Sequence, residues 1–450
     1  MSIFFNKILR KQVSIEPLVW FRIIFGLLML VSTIRFWYKG WIHNLYIAPK
    51  FYFTYYGFDW IKPLNENGMY FLFGLLIITS IFISLGFLYR ISILLFFLSF
   101  TYIELIDKTN YLNHYYFISL VSFLMCFLPA HRFFSLDVKL GICTVKQQVS
   151  AWCINILKFQ IGCVYFFAGV AKINSYWLID AQPLSNWLKH QSDLSLIGGL
   201  MKYTTTAYLF AWGGCLFDLC VPFLLCFKRT RIPAYISIVI FHILTGIMFP
   251  IGVFPVVMIS LTTLFFAPEI FERIFAKIQP SPMQQIAPKI KIRRFTKEVL
   301  IGIYVILQIL IPLRYLLYPG NLFWTEQGFR FSWRVMLIEK VGDVTFYVVP
   351  ENGIGKKMIE PSSYLTSQQI KQMSTQPDMI LQFAHHLRNE YANQEIEENG
   401  VKIHIGMPSV YAEAYVSLFN SGSQYLIDPS VDLAKESFNL KNRNWITVHE

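Results

Sequence analysis

The chain has 450 residues, of which 55% are hydrophobic, 17% aromatic and only 15% charged, a composition that fits solvation by a bilayer and not by water alone. Its formal charge is +12, from 39 Lys and Arg against 27 Asp and Glu; the basic excess lies before Leu317 and the remainder is net acidic. The basic residues fall between apolar runs and form no stripe on a DNA-reading motif, which excludes nucleic acid and points to a membrane surface.

The N-terminal MSIFFNKILRKQVSIEP places Lys7, Arg10 and Lys11 ahead of an apolar run with no small-residue cleavage site after it, so this run is expected to be a retained helix and not a signal peptide. A crossing helix needs about 20 apolar residues, fewer where protein shields its ends. By that measure about nine segments qualify, at roughly 17–35, 69–88, 91–106, 115–129, 152–173, 206–227, 233–249, 252–267 and 298–317, with eight or ten left open because several are short or parted only by a two-residue break such as Tyr89-Arg90 or Pro250-Ile251. With the N-terminus inside, Arg90, Arg132, the Lys228, Arg229 and Arg231 cluster and the run KIKIRRFTK at 289–297 all fall on the cytoplasmic side, where Lys and Arg collect. Nine crossings then place the tail outside.

The tail changes period. VTFYVV, VKIHIG, AYVSLF and QYLIDP are strand-length, whereas SQQIKQMSTQPDMILQFAHHLRNEYANQ has helical spacing. The predicted architecture is a polytopic α-helical membrane protein of about nine transmembrane helices, residues 1–317, followed by an extracytoplasmic α+β, mainly β, domain, residues 318–450. No Asn-x-Ser/Thr sequon occurs, which favours a bacterial inner membrane with a periplasmic tail over an ER lumen. The seven cysteines all precede the tail, form no CxxC and lack spaced histidines, so they read as small core residues; no metal site is expected.

Titratable side chains within hydrocarbon are costly and therefore candidate functional groups. They are Arg22, His114, Lys158, Lys172, Asp218 and His242. The topology brings His114, at the start of the fourth span, Lys172, at the end of the fifth, and His242, in the outer half of the seventh, to one outer-leaflet level. A lysine there loses hydration of its ammonium, so its amine is expected to serve as a general base. Arg22 and Asp218 read as polar ties between helices, and Lys158 as a snorkelling lysine. His385 and His386 are adjacent on a helix pattern, point about 100° apart and read as a solvated face. The aromatic run Phe159, Tyr165, Phe166 and Phe167 reads as membrane core that can also line a pocket for a flat apolar ring.

The strings WFRIIFGLLML (20–30), DKTNYLNH (107–114), FQIGCVYFFAGVAKINSYW (159–177), LFDLCVPFLL (216–225), FHILTGIMFPIGVFPVVM (241–258), QGFRFSWRVML (327–337) and YLIDPSVDL (425–433) resemble the vitamin K-dependent gamma-glutamyl carboxylase family over nearly the whole chain. The resemblance implies an enzyme using reduced vitamin K (the hydroquinone), O2 and CO2. In that family a lysine base deprotonates the hydroquinone, oxygen adds to the ring, the resulting alkoxide removes the γ-proton of a peptide glutamate, CO2 adds to the carbanion, and the epoxide leaves. By motif position the base is Lys172, with Ala171 where the family has another lysine. Asn113 and His114 match an Asn-His pair, and His242 a later active-site histidine. Met248, Phe249 and Phe254, with Tyr165 and Phe166, are expected to lie beside the quinone. The implied partners are a glutamate-containing protein or peptide, the bilayer and its quinone.

The tail has no cysteine for the family's disulfide between membrane and soluble parts. The chain also stops soon after DPSVDL, where the animal enzyme continues into a region that helps hold a propeptide, so propeptide guidance is not expected. Two further readings stay open: a quinone epoxidase that no longer carboxylates protein, and a non-catalytic membrane scaffold or quinone-binding protein.

Overall fold

A computed structural model describes residues 11–194, 198–278, 294–398 and 401–449. Lys7, Arg10 and residues 289–293 of the basic run, on which part of the charge-based topology rests, lie outside these residues. A two-stranded ribbon, β1 (Gln12–Ser14) with β2 (Gln148–Ser150), opens the helical part. The helices of more than eight residues in this part are α1 (Glu16–Tyr38), α2 (Glu66–Leu85), α3 (Tyr89–Ile106), α4 (Asn113–Phe127), α5 (Trp152–Ala171), α6 (Thr204–Leu224), α7 (Arg231–Met248), α8 (Phe254–Thr262), α9 (Pro268–Ile278) and α10 (Arg294–Leu313), with shorter helical turns between them.

Among the described residues seven helices are long and apolar enough to cross a membrane, or eight if one bent pair counts as a span, against the expected nine or so. The fourth expected span, α4, has only 15 residues. The eighth is short and bends by 99° into α9 at Pro268, so the pair forms either a broken span or a re-entrant loop. A hydropathy window sees the apolar residues of such a segment but not the bend, since Pro removes a helix donor without making the stretch polar. Outward-facing Val31, Phe71 and Leu209 are more than 60% exposed, which leaves an apolar belt for lipid. Gly26 lets α1 and α2 close, because a Cβ there would stand 2.7 Å from the Ser80 carbonyl oxygen.

The C-terminal part carries a four-stranded sheet ordered β4 (Lys357–Ile359), β3 (Lys340–Val349), β7 (Ser409–Leu418), β8 (Ser423–Tyr425), all antiparallel, and a separate hairpin of β5 (Glu395–Glu398) and β6 (Val401–His404). The strands bury alternate residues: Val344, Phe346 and Val348 on β3 share a face with Val410, Ala412, Ala414 and Val416 on β7. Helix α12 (Pro377–Tyr391) packs on that face, with Phe383 set edge-on to Phe346 at 5.0 Å. The long helical stretch expected at 367–394 is two helices, α11 (Ser367–Met373) and α12, separated before Pro377.

Polar contacts fasten this part to the helical one. Gln369, buried in the capping box of α11, donates to Asp107 Oδ2 (2.9 Å) and to the Phe51 carbonyl (2.7 Å). Asp378 binds Lys108 at 2.9 Å and Arg330 at 2.8 Å. Burial pushes the Asp378 carboxyl up, but Arg330 and Lys108 overcome it and hold the group well below the usual carboxylate range.

Replacing Asp378 with Asn leaves two cations buried without their anion. The Asp378→Asn variant is expected to lose about 3–5 kcal/mol, read as a lower thermal midpoint of the solubilised protein and faster proteolysis between residues 318 and 340. Because the folded carboxyl titrates below its unfolded value of 3.8, its stabilising contribution is complete above about pH 4 and is lost as pH falls through the lowered value. That acid-dependent loss should be missing from the variant.

Candidate active site

Helix α5 sets one wall. Val164, Ala168 and Lys172 fall at successive turns of one face, with Tyr165 beside them, and all four line a narrow apolar cavity of about 100 Å³. Lys172 is the C-cap of α5, so its ammonium stands at the negative end of the helix. It is buried and donates to Asp218 Oδ2 of α6 at 2.7 Å and to the Ala168 carbonyl at 3.2 Å. The Trp177 ring lies 5.4 Å from Nζ and is itself fixed by a 2.8 Å bond from its indole N–H to the Ala211 carbonyl.

Close packing of α5 on α6 makes the ion pair possible. A Cβ on Gly169 would meet the backbone nitrogen and Cγ of Leu219 at 2.8 Å, so only glycine lets Asp218, one residue earlier, reach Lys172. The sequence expectation of Asp218 as a tie between helices missed its partner: it is the counter-ion of the candidate base. The remaining tie, Arg22, donates to the Phe134 carbonyl at 2.7 Å, and Lys158 lies 5.5 Å from the Phe265 ring.

His242 on α7 faces the same cavity. Its Nε2 is 3.0 Å from the Tyr165 hydroxyl, while its buried Nδ1 has no hydrogen-bond partner. Phe241, Phe249, Phe254 and Met258 add apolar wall. His114 and Asn113 are not in this cavity. They line a second one of about 520 Å³, together with Arg35. Phe254 stands between the two, its ring 5.8 Å from that of His242 and 5.7 Å from that of His114. Ile251, Val335 and Met336 complete the shared wall.

The other expected ring contacts divide. Phe249, Phe254 and Tyr165 line the first cavity; Met248 is buried in the adjoining core and is not part of the lining. Phe166 is directed away from it, onto Phe167 and Phe223, because consecutive helical residues diverge by about 100° and Tyr165 takes the inward place. Outside the site, His385 meets the carbonyls of Leu433 and Glu436, and His386 meets Glu390.

The tail supplies what hydropathy did not show. Phe331, Trp333 and Met336 have φ of 61°, 59° and 53°, a left-handed backbone that is costly for bulky residues and must be held by its surroundings. Trp333 stacks on Tyr116 at 5.0 Å, and Asn113 Nδ2 donates to the Arg334 carbonyl at 3.1 Å. Tyr111 links the rest, donating to Asn113 Oδ1 (3.0 Å) and accepting from the Phe331 N–H (2.8 Å). The result aims Val335 and Met336 at both cavities.

A flat, mostly apolar ring with a polar edge fits the first cavity: the walls are aromatic and aliphatic, and the orphaned His242 Nδ1 awaits one polar atom. Comparison with known families agrees in class. The HTTM domain model matches residues 10–269, and the model of the vitamin K-dependent gamma-carboxylase lumenal domain matches residues 293–450. No solved structure matches the chain. An apolar helical part that holds a buried lysine–carboxylate pair and is joined to this lumenal domain belongs to an integral membrane protein of the vitamin K-dependent gamma-carboxylase family.

Proposed function

We propose that the chain is a membrane gamma-glutamyl carboxylase homologue whose base is Lys172 and whose quinone ring occupies the cavity between Lys172 and His242. The observation that carries this reading is the buried Lys172–Asp218 pair at 2.7 Å, opening on an otherwise apolar cavity. The ion pair is the state after proton uptake. The base is the same pair with the amine neutral, and Asp218 stabilises the ammonium as it forms. His242 Nδ1 holds the ring's oxygen edge, and its Nε2 is oriented by the Tyr165 hydroxyl.

When bound, reduced vitamin K with O2 supplies, through its own oxygenation, the driving force for removing a glutamate γ-proton that no side chain is basic enough to take. CO2 is the second co-substrate. The glutamate peptide enters the larger cavity, where Arg35 can meet a carboxylate and His114 faces Phe254, the partition from the ring. Water exclusion follows from the aromatic walls and from the Val335–Met336 cover. The reading places this site near the outer face of a bacterial inner membrane, with the N-terminus cytoplasmic, residues 1–317 membrane-embedded and 318–450 periplasmic.

The test is purified protein supplied with reduced vitamin K, labelled CO2 and a glutamate peptide. Epoxide and labelled peptide together are expected; epoxide alone selects an epoxidase without carboxylation, and neither product removes the enzymatic reading. Lys172→Ala should lower both products by about 10²–10⁴-fold without unfolding the chain, and added small amines should restore part of the rate. Full activity in that variant would remove Lys172 as the base.

Gly169→Ala is expected to separate α5 from α6 and stretch the Lys172–Asp218 contact. Turnover should fall sharply while stability drops by only about 1–3 kcal/mol, the usual cost of one extra methyl in a packed core. Unchanged turnover at wild-type stability would show that the pair does not need this close approach.

A further inference from the structure

A third cavity, of about 630 Å³, lies where the outer ends of α3, α4 and α10 meet the tail. Its charge is lopsided. Lys108, Arg314, Arg330 and Arg443 line it against Asp378 and Glu326, and Glu326 is already matched by Lys340 at 3.0 Å. Asp378 is shared between Lys108 and Arg330. Among the described residues Arg314 and Arg443 have no carboxylate at ion-pair distance, although Asp378 lies near enough to act on the Arg443 charge; Arg314 spends its donors on the carbonyls of Ile311 and Arg330.

Two buried polar atoms of the lining have no partner. Arg443 Nε is a donor without an acceptor, and Gln327 Oε1 is an acceptor without a donor, on a side chain that is 5% exposed and whose Nε2 is bonded to the Lys441 carbonyl. A buried unmet group of either kind is costly, so the lining is complementary to a ligand carrying both a carboxylate and an N–H. A peptide residue with an acidic side chain has both in one unit; a phosphodiester by itself lacks the donor, and a lipid headgroup that adds one, such as phosphatidylethanolamine or phosphatidylglycerol, carries no carboxylate. Exposed Tyr56, Phe58 and Leu440 line the same cavity and suit the apolar parts of such a segment.

The cavity shares no lining residue with the candidate active site but is joined to it through residues in contact. Tyr116 and Phe331 wall it, Tyr116 stacks on Trp333, and Phe331 reaches Asn113 through Tyr111. We propose that this cavity is a second subsite for the peptide substrate, which binds the carboxylate of an acidic residue other than the one that reacts. The subsite selects acidic peptides whose second carboxylate is at a fixed spacing from the target glutamate. The proposal rests on the peptide-carboxylase reading above.

The experiment uses the full chain in phosphatidylcholine nanodiscs and fluorescent peptides, one with a single glutamate in a neutral sequence and a series adding a second glutamate one to six residues away on either side. Anisotropy is expected to show about tenfold tighter binding at one spacing, weakening with salt, and to show this preference lost in Arg443→Gln and partly kept in Arg443→Lys. Equal affinity at every spacing in the wild-type chain overturns the subsite whether or not any variant folds, as does a preference unchanged in both Arg443→Gln and Arg314→Gln. Retention of phosphatidylglycerol that is lost in Arg443→Gln, without any peptide preference, also overturns it and assigns the cavity to a lipid headgroup. Turnover of the single-glutamate peptide with reduced vitamin K is measured separately. A spacing preference without turnover overturns the carboxylase reading and leaves the binding site; turnover without preference does the reverse.

Discussion

One contact organises this molecule: an ammonium and a carboxylate, from two helices, meeting at 2.7 Å within an apolar bundle. Taking two charges out of water costs several kcal/mol per ion, on the order of what one good pairing returns, so such a pair adds little net stability. Three features of the chain reduce the cost. Lys172 caps α5, so the helix end and the Ala168 carbonyl contribute partial negative charge; Trp177 presents a ring face to the ammonium; and Gly169 allows the approach that makes the contact short. A pair assembled from so many dependent parts is better explained by what it does to a proton than by stability, since two packed apolar residues would hold α5 to α6 as well.

The tail belongs to this constraint and is not a separate attachment. Residues 327–337 precede the sheet, yet they form a cover whose bulky residues adopt left-handed backbone and whose Val335 and Met336 close both cavities. Strain of that kind persists only where neighbours over-determine it. Here the neighbours are Tyr111, Asn113 and Tyr116 of the helical part, while Lys108 and Asp107 bind Asp378 and Gln369 of α12 and α11. Asn113 is therefore first a fastening: both ends of its amide are engaged, one by Tyr111 and one by the Arg334 carbonyl. His114, the next residue, is free to face Phe254 because Asn113 fixes the start of α4.

Much of this was legible in the chain. Burial of apolar residues is nearly local information, so runs of hydropathy located the helices, and alternation located β3 and β7. The cost of charge in hydrocarbon singled out Lys172, Asp218 and His242. What stayed hidden depends on direction and distance. Asp218 was visible as a buried acid, but its pairing with Lys172 depends on a helix crossing set by Gly169. The bend between α8 and α9 depends on backbone geometry at Pro268. Phe166 and Tyr165 are equivalent in composition, and only the rotation of α5 decides that Tyr165 meets His242 while Phe166 meets Phe223. Val335 and Met336 carry no charge and no period that would mark them as part of a site.

The two cavities also answer a difficulty of the chemistry proposed for them. A quinone with an isoprenoid tail comes from lipid, whereas a peptide comes from water, and a reactive species formed on the first must reach the second without meeting solvent. A single open pocket would admit water with the peptide. On the proposed reading, a narrow apolar slot beside a larger, more polar chamber, divided by side chains only, would let each reactant enter from its own phase and confine their meeting to the width of one aromatic ring, Phe254. The partition is made of Ile251 and Phe254 from the helical part and Val335 and Met336 from the tail, so its closure depends on the docking that Asn113, Tyr111 and the Lys108–Asp378 pair maintain. If the amine is the base proposed for it, contacts far from it govern the dryness in which it would work, which ties the stability of the assembled chain to the protection of the proposed reaction.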